Sequence, residues 1–203
     1  MSQLKLTADS GGGTVAIKAP ASTTGNAALE LTVPGTSNGT LATTNGITSA
    51  QQFRLIANQT GSGSTGTVLT NWEEVDTDYQ AIGSNWSQSS GIFSCSATGI
   101  YMCLWTLVIN GSTSGDAFDP NIAISTDSGS NYTSRSKAWA HVDSTEPKRF
   151  SPGNQFIFDV ANTSTFRLSY RQSDTNSITS NTTIVGSSTD STTNIMFIRL
   201  GDT

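Results

Sequence analysis

Most apolar residues of this chain lie in short runs that alternate with polar residues. The segments NIAIST (121–126), FIFDV (156–160) and FRLSYR (166–171) each place apolar side chains at every second position. Alternation with period two is typical of β-strands that have one buried and one solvated face. Turns rich in Gly, Asn, Asp and Pro separate the runs, and no helical periodicity of useful length occurs. The pattern predicts an all-β protein whose C-terminal part is a two-sheet sandwich of about eight strands.

Two segments do not alternate. Nearly every residue from Ile100 to Ile109 is apolar, and NIMFIRL (194–200) places apolar residues on both faces. Such a strand needs a cover on each face: the opposite sheet covers one, and a second partner covers the other. A contiguous exposed apolar patch marks an interface. The alternative is that a loop or the N-terminal region of the same chain covers this face. The predicted interface residues are Ile100, Met102, Leu104, Val108, Met196 and Ile198.

The N-terminal region predicts thin hairpins without a core of their own. LKLTADSGGGTVAIKAP (4–20) is typical of a strand, a glycine turn and a strand, and ALELTV (28–33) of a further strand. SAQQFRLIANQ (49–59) fits either a short helix or a strand. Such hairpins require a partner surface, because they bury too little apolar area to be stable alone. The predicted docking residues are Leu4, Leu6, Val15, Ile17, Leu29, Leu31 and Val33.

A change of composition near residue 70 divides the chain. All four tryptophans and both cysteines lie in residues 71–203, whereas TGSGSTGT (60–67) has the composition of a flexible linker. We therefore expect an N-terminal attachment arm at 1–59, a linker at 60–70 and a compact domain at 71–203.

Charge and hydropathy exclude several classes of function. The 203-residue chain has a formal net charge of −5 and no Lys/Arg cluster, so we expect no nucleic-acid partner. Its start lacks the apolar core of a signal peptide, and the run 100–109 is about half as long as a membrane helix. We expect synthesis in a cytoplasm without membrane insertion. Cys95 and Cys103 are then expected to be reduced core residues, with a disulfide as the less favoured alternative.

Candidate catalytic and metal-binding groups form no recognisable motif. The only histidine, His141, lies near Asp143 and Ser144, but sequence proximity does not define a catalytic triad. Acidic residues that we interpret as solvated loop charges rather than a glycosidase pair are Glu73, Glu74, Asp76 and Asp78. Loop carboxylates whose spacing matches no calcium motif are Asp116, Asp119 and Asp127. We expect no enzyme activity, no cofactor and no metal.

Tryptophans offer the remaining chemistry for ligand binding. Exposed tryptophans can stack on sugars, although tryptophan more often fills a core or an interface. The candidates are Trp72, Trp86 and Trp139.

GIFSCSATGIYMCLWTLVING (91–111) resembles a segment shared by the globular heads of complement C1q and the tumour necrosis factor superfamily. Gly91, Phe93, Gly99 and Tyr101 stand where those proteins have a Gly-x-Phe strand followed by a Gly-x-Tyr turn and strand. Segments that resemble the opening, late and closing strands of that family are NWEEVDTDYQAIGSNW (71–86), SPGNQFIFDVANTSTFRLSYRQ (151–172) and NIMFIRLGDT (194–203). The likeness covers residues 71–203.

This resemblance implies a C1q/TNF-like jelly-roll β-sandwich that forms a tight homotrimer. By analogy, Met102 and Leu104 face the threefold axis. The implied sandwich core consists of Phe93, Tyr101, Cys103, Trp105, Phe156, Phe158, Phe166 and Leu168.

The segment GGGTVAIKAPASTTGNAALELTVPGTSNGTLAT (11–43) resembles part of structural proteins of tailed bacteriophages, notably marine ones of the cyanophage type. The shared pattern is a Gly-Gly-Thr-Val strand, a Leu-x-Leu strand between two prolines, and Asn-Gly-x-Leu. Such segments stand at the start of fibre or capsid-surface proteins, so the resemblance implies a β-hairpin arm that docks on a virion.

Together these features favour a non-enzymatic virion structural protein of a bacteriophage, most specifically a trimeric capsid decoration or cement protein. The arm would dock on the major capsid protein or another virion protein, and the jelly roll would project outward. The alternative is a tail-fibre or tail-tip knob for host attachment that recognises a host surface glycan or protein. The expected location is the virion surface, after synthesis in the bacterial host cytoplasm.

Overall fold

The computed structural model describes residues 3–7, 14–18, 46–60, 66–111, 117–141, 148–172 and 182–203. All regular elements within these ranges are β-strands, numbered here β1 to β18 in chain order. Residues 1–43 and 44–203 form two compact units.

The N-terminal unit contains an antiparallel hairpin of β1 (Gln3–Thr7) and β2 (Thr14–Lys18). Its register sets Leu4 opposite Ile17 and Leu6 opposite Val15, so the four predicted docking residues of this hairpin pair with one another. Further predicted docking residues lie outside the described residues, namely Leu29, Leu31 and Val33.

Two five-stranded antiparallel sheets build the C-terminal unit, which confirms the predicted all-β sandwich. Sheet I runs in the order β15 (Gly153–Val160), β8 (Gly99–Thr106), β18 (Asn194–Gly201), β3 (Ala50–Leu55) and β5 (Trp72–Glu74). Sheet II runs in the order β12 (Thr133–Lys137), β11 (Asn121–Ser125), β16 (Arg167–Arg171), β7 (Ile92–Cys95) and β6 (Trp86–Ser89).

Smaller pairings extend this sandwich beyond the last residue of β8. One four-stranded sheet has the order β14 (Lys148–Phe150), β9 (Ile109–Gly111), β17 (Thr183–Ile184) and β4 (Gln59–Thr60). A two-stranded pair joins β10 (Ala117–Phe118) to β13 (Ala140–His141).

The boundary of the sandwich differs from the one expected at residue 71. The predicted boundary assigned β3 to the arm. In the structure β3 pairs with five residues of β18, from Asn194 to Ile198, and it buries Phe53 and Leu55 in the core. The segment that fitted either a helix or a strand is therefore a strand. Part of the expected linker also belongs to the sandwich, because Leu69 is fully buried; its residues 61–65 lie outside the described residues. Composition misplaced the boundary because three of the six residues of β3 are polar, namely Gln51, Gln52 and Arg54.

The turn between β6 and β7 explains the glycine at position 91. Ser90 and Gly91 both adopt positive φ angles, 50° and 79°. A two-residue hairpin turn needs this conformation at both positions to match the right-handed twist of the flanking strands. A side chain at Gly91 would in addition overlap the carbonyl oxygen of Leu69. The Gly-x-Phe pattern at this site thus reflects both the turn and the close approach of a neighbouring backbone.

Aromatic rings fill the space between the two sheets. Phe197 of sheet I stacks on Trp86 of sheet II with ring centroids 3.9 Å apart and planes 11° from parallel. The rings of Phe53 and Phe93 contact the Phe197 ring edge to face, with ring centroids 6.3 and 5.5 Å from that of Phe197. Since sheet-to-sheet contact is made by these rings, they set the separation and orientation of the layers.

Removal of the Phe197 ring tests this assignment. Phe197→Ala should lower the free energy of unfolding by about 3–5 kcal/mol, because it leaves a cavity between the sheets. Trp139→Ala removes a larger ring from a side chain that is 72% exposed, and should change the unfolding free energy by less than about 0.5 kcal/mol. Urea unfolding of both variants at one protein concentration gives the comparison; equal losses would contradict the packing described.

Candidate functional site: an apolar face on sheet I

Strand β8 presents two different faces. Tyr101, Cys103 and Trp105 are at most 2% exposed and point between the sheets. The alternate residues, which include Met102 and Leu104, are only half-buried and point away from sheet II. The period of the pleat therefore splits this uniformly apolar strand into a core face and an outer face.

The register of β18 and β15 extends the outer face on both sides. Met196 lies opposite Leu104, and Ile198 lies opposite Met102. On the other flank Ile157 also lies opposite Met102 and is 63% exposed. Directly paired residues project to the same face of a sheet. The result is a contiguous set that we call the apolar face, consisting of Met102, Leu104, Ile157, Met196 and Ile198.

The remaining predicted interface residues lie at the margins of this face. Ile100 is half-buried and pairs with Asp159, at the end of β8 where the sheet becomes polar. Val108 is also half-buried and lies beyond the end of β8, where its backbone N–H donates to Thr193 Oγ1 at 3.0 Å. Whether copies of the chain cover these residues stays a prediction.

The same chain covers one corner of this side of sheet I. Arg54 lies two positions along β3 from Gln52, the residue opposite Met196, and is only 2% exposed. Its Nε contacts Glu73 Oε1 at 2.7 Å and its Nη2 contacts Asp76 Oδ1 at 2.6 Å. Intrachain cover, the alternative weighed from the sequence, therefore holds for the Arg54 corner, while the apolar face remains partly exposed.

The predicted core residues lie between the sheets. Six of the eight are at most 2% exposed: Phe93, Tyr101, Cys103, Trp105, Phe166 and Leu168. Phe156 and Phe158 are half-buried and pack against the others from the edge strand β15. Cys103 is a free thiol, as is the buried Cys95, and burial raises the pKa of both.

Ile157 is a member of the apolar face that the sequence prediction missed. It lies between two phenylalanines that were assigned to the core, and alternation alone directs it to the opposite face. The signal was present in FIFDV, but an isolated apolar residue on an outward face is common on protein surfaces. Only the pairing with Met102 shows that it continues a patch.

Candidate catalytic and metal-binding residues do not converge among the residues that the structure describes. No group of three or more His, Cys, Asp or Glu side chains there could hold a metal ion. His141 is exposed, Glu73 and Asp76 bind Arg54, and Asp116 lies outside the described residues.

Within the described part of the chain, no helix has the length and hydropathy to cross a membrane.

The carboxylate of Asp127 organises the loop between β11 and β12. It accepts hydrogen bonds from Ser125 Oγ at 2.6 Å, from the Asn131 N–H at 2.9 Å and from Asn131 Nδ2 at 2.7 Å. These bonds lower the pKa of Asp127 to about 2. Both oxygens thus serve the loop itself, an arrangement that explains an isolated loop aspartate without a metal.

Comparison with known proteins identifies the fold. No family model and no curated protein matches the chain. Among solved structures, murine APRIL at pH 8.0 is similar with a TM-score of 0.54 and 12% identity, over 75% of this chain and 98% of that one. The Eiger TNF of S. frugiperda is similar with a TM-score of 0.56 and 14% identity, over 76% of this chain and 93% of that one. The C-terminal unit has the jelly-roll fold of these TNF-type structures. The sheet I order of this jelly roll places its first strand at β3, upstream of the expected boundary.

The Asp127 loop makes stability depend on pH in acid. Because the folded-state pKa of about 2 lies below the ordinary value of 3.8, the carboxylate stabilises the fold above pH 4, and this contribution is lost as the pH falls toward 2. Asp127→Asn should therefore be less stable than the unmodified chain at pH 5, and the gap should narrow by pH 2. Urea midpoints across this range measure it. A gap that is the same at both pH values would contradict the loop geometry.

Proposed function

We propose that this chain is a non-enzymatic virion structural protein that assembles as a homotrimer through sheet I, and most specifically a capsid decoration or cement protein of a tailed bacteriophage. The observation that carries the assembly is the apolar face. The phage assignment is supported by the pattern of residues 11–43 and by the separate N-terminal unit.

The apolar face is a contiguous cluster of apolar side chains, which is the kind of surface that marks an interface. Two methionines, a leucine and two isoleucines adjoin one another on three neighbouring strands. Covering a few hundred Å² of such surface per chain stabilises an assembly by several kcal/mol, at about 25 cal/mol per Å². The partner that we propose for the apolar face is a second copy of the chain, because every cell that makes the protein contains further copies at the same concentration.

A threefold arrangement fits the position of the apolar face near one edge of sheet I. In a closed ring each copy must offer two different surfaces, one for each neighbour. Sheet I offers the outer face of β8 and β18, and next to it the edge strand β15, from which Ile157 projects at 63% exposure. We infer that the β15 edge of one copy packs beside the apolar face of the next, which agrees with the homotrimer implied by the family resemblance.

Light scattering on the purified protein tests the assembly. The unmodified chain should scatter as a trimer at micromolar concentration, and Leu104→Arg should give monomers or aggregates, because a charge cannot be buried unpaired in the interface. Ser87→Arg is the matched control, since Ser87 is exposed on β6 of sheet II and should leave the trimer intact. An unaltered assembly of Leu104→Arg would show that the facing assignment is wrong.

The decoration role assigns separate tasks to the two units. The N-terminal unit, with its paired Leu4, Leu6, Val15 and Ile17, would dock on the major capsid protein or another virion protein. The jelly roll would hold three such arms together, so that one trimer links several capsid subunits. Linking raises the free energy needed to separate those subunits, because attachment through three arms multiplies the effective local concentration of each contact.

Heat treatment of particles tests the cement role. Virions that lack the protein should lose infectivity or DNA at a lower temperature than complete virions, and adding back the purified chain should restore the difference. The Leu104→Arg variant should not restore it, since single arms lack the linkage. Equal heat resistance of particles with and without the protein would count against the proposal.

Host recognition by a tail-tip knob is the second candidate function. It is favoured by one observation, the 72% exposure of Trp139, which lies between β12 and β13. In that case purified protein would compete with particles for adsorption to host cells, whereas a cement protein would not.

A further inference from the structure

The outer face of sheet I is ordered into rows of residues that cross its strands. Directly paired residues of neighbouring strands project to the same face, so the pairing register defines each row. One row begins at Ile82, whose backbone exchanges two hydrogen bonds with that of Ala50, at 2.8 and 3.0 Å. Ala50 lies opposite Ile198, Ile198 opposite Met102, and Met102 opposite Ile157. We call these five apolar residues the belt, because they cross sheet I from β15 to the segment that flanks β3.

The rows on either side of the belt are more polar. The next row is apolar only in its middle and consists of Gln52, Met196, Leu104 and Gln155. The row after it is polar and consists of Arg54, Asn194, Thr106 and Gly153. On the other side of the belt, Ile100 pairs with Asp159. Apolar character is therefore greatest in the belt and declines along the strands in both directions.

Both ends of the belt are open to solvent. Ile157 is 63% exposed at one end and Ile82 is 48% exposed at the other. The backbone beside Ile82 is tightly packed, because Gly83 has a φ of 68° and a Cβ there would lie 2.7 Å from Thr48 O. The chain thus presents an apolar side chain at each end of the belt and covers neither of them fully.

A further copy of the chain fits the belt better than a charged partner does. Neither the belt nor the row that contains Leu104 has a charged residue, and depletion of charge is typical of the core of an interface. The partner must also cover two ends that lie at opposite sides of sheet I. In a closed ring each copy offers a different surface to each neighbour, so one neighbour covers the Ile157 end and the other covers the Ile82 end.

We infer that Ile157 of one copy packs against Ile82 of the next, so that three belts join into one closed apolar layer. This inference rests on the proposed homotrimer and specifies which residues meet in it. The adjacent row supports the same alignment, because it would bring Gln155 of one copy to Gln52 of the next. Two side-chain amides that meet in this way can each donate and accept a hydrogen bond.

Disulfide trapping in the full-length chain tests this contact. The variant carries Ile82→Cys and Ile157→Cys, and the two native cysteines are buried free thiols that leave the new pair as the accessible one. A disulfide forms only when the two Cβ atoms are about 3.5–4.5 Å apart, so a crosslink reports direct contact. After mild oxidation at micromolar concentration, we expect a covalent trimer as the largest product on a non-reducing gel.

The matched control moves one thiol by a single row. Ile82→Cys combined with Gln155→Cys places the second thiol on the same face of β15, about 7 Å along the strand. This variant should give far less crosslinked product under the same conditions. Crosslinking of the control as efficient as that of the Ile157 variant would contradict the alignment of the rows.

Paired charges test the same contact without a covalent bond. Ile157→Lys and Ile82→Glu should each shift the trimer toward monomers by about tenfold or more in concentration, because each leaves an unpaired charge in the interface. The double variant should assemble better than either single variant, since the two charges then face each other across the boundary between copies. Light scattering over a dilution series measures all three. A double variant that assembles no better than the single ones would contradict direct contact.

Light scattering of the unmodified chain separates this inference from the proposed assembly. A trimer in which Ile82→Cys and Ile157→Cys do not crosslink would overturn the contact and leave the assembly standing. A monomer would overturn both. Covalent dimers as the largest product, together with dimers in solution, would also overturn both, because two belts stacked face to face bring the same residues together without a ring.

Discussion

The double apolar character of β8 is the constraint on which this molecule depends. One face of that strand lies between the sheets, where Tyr101, Cys103 and Trp105 are almost completely buried. The other face carries Met102 and Leu104, which the same chain leaves half-exposed. Because β8 pairs with a strand on each side, its outer face adjoins those of β15 and β18. Sheet II provides one cover, and the proposed neighbouring copies provide the other.

The aromatic contacts between the layers give this constraint its geometry. Trp86 and Phe197 stack across the sheets, and the surrounding phenylalanines meet them edge to face. Phe197 lies between Met196 and Ile198 on β18, so the same strand supplies a core ring to one face of the sheet and two residues of the apolar face to the other.

Local patterns in the sequence determined the β class, the strand character of most segments and the two faces of β8. These properties follow from a period of two residues, which requires no knowledge of the partner strand. The tertiary structure decided what pairs with what: that β3 belongs to sheet I and not to an arm, that Ile157 adjoins Met102, and that Trp139 alone among the tryptophans faces solvent. Strand pairing and exposure arise from contacts between residues distant in the chain, so composition and spacing carry little information about them.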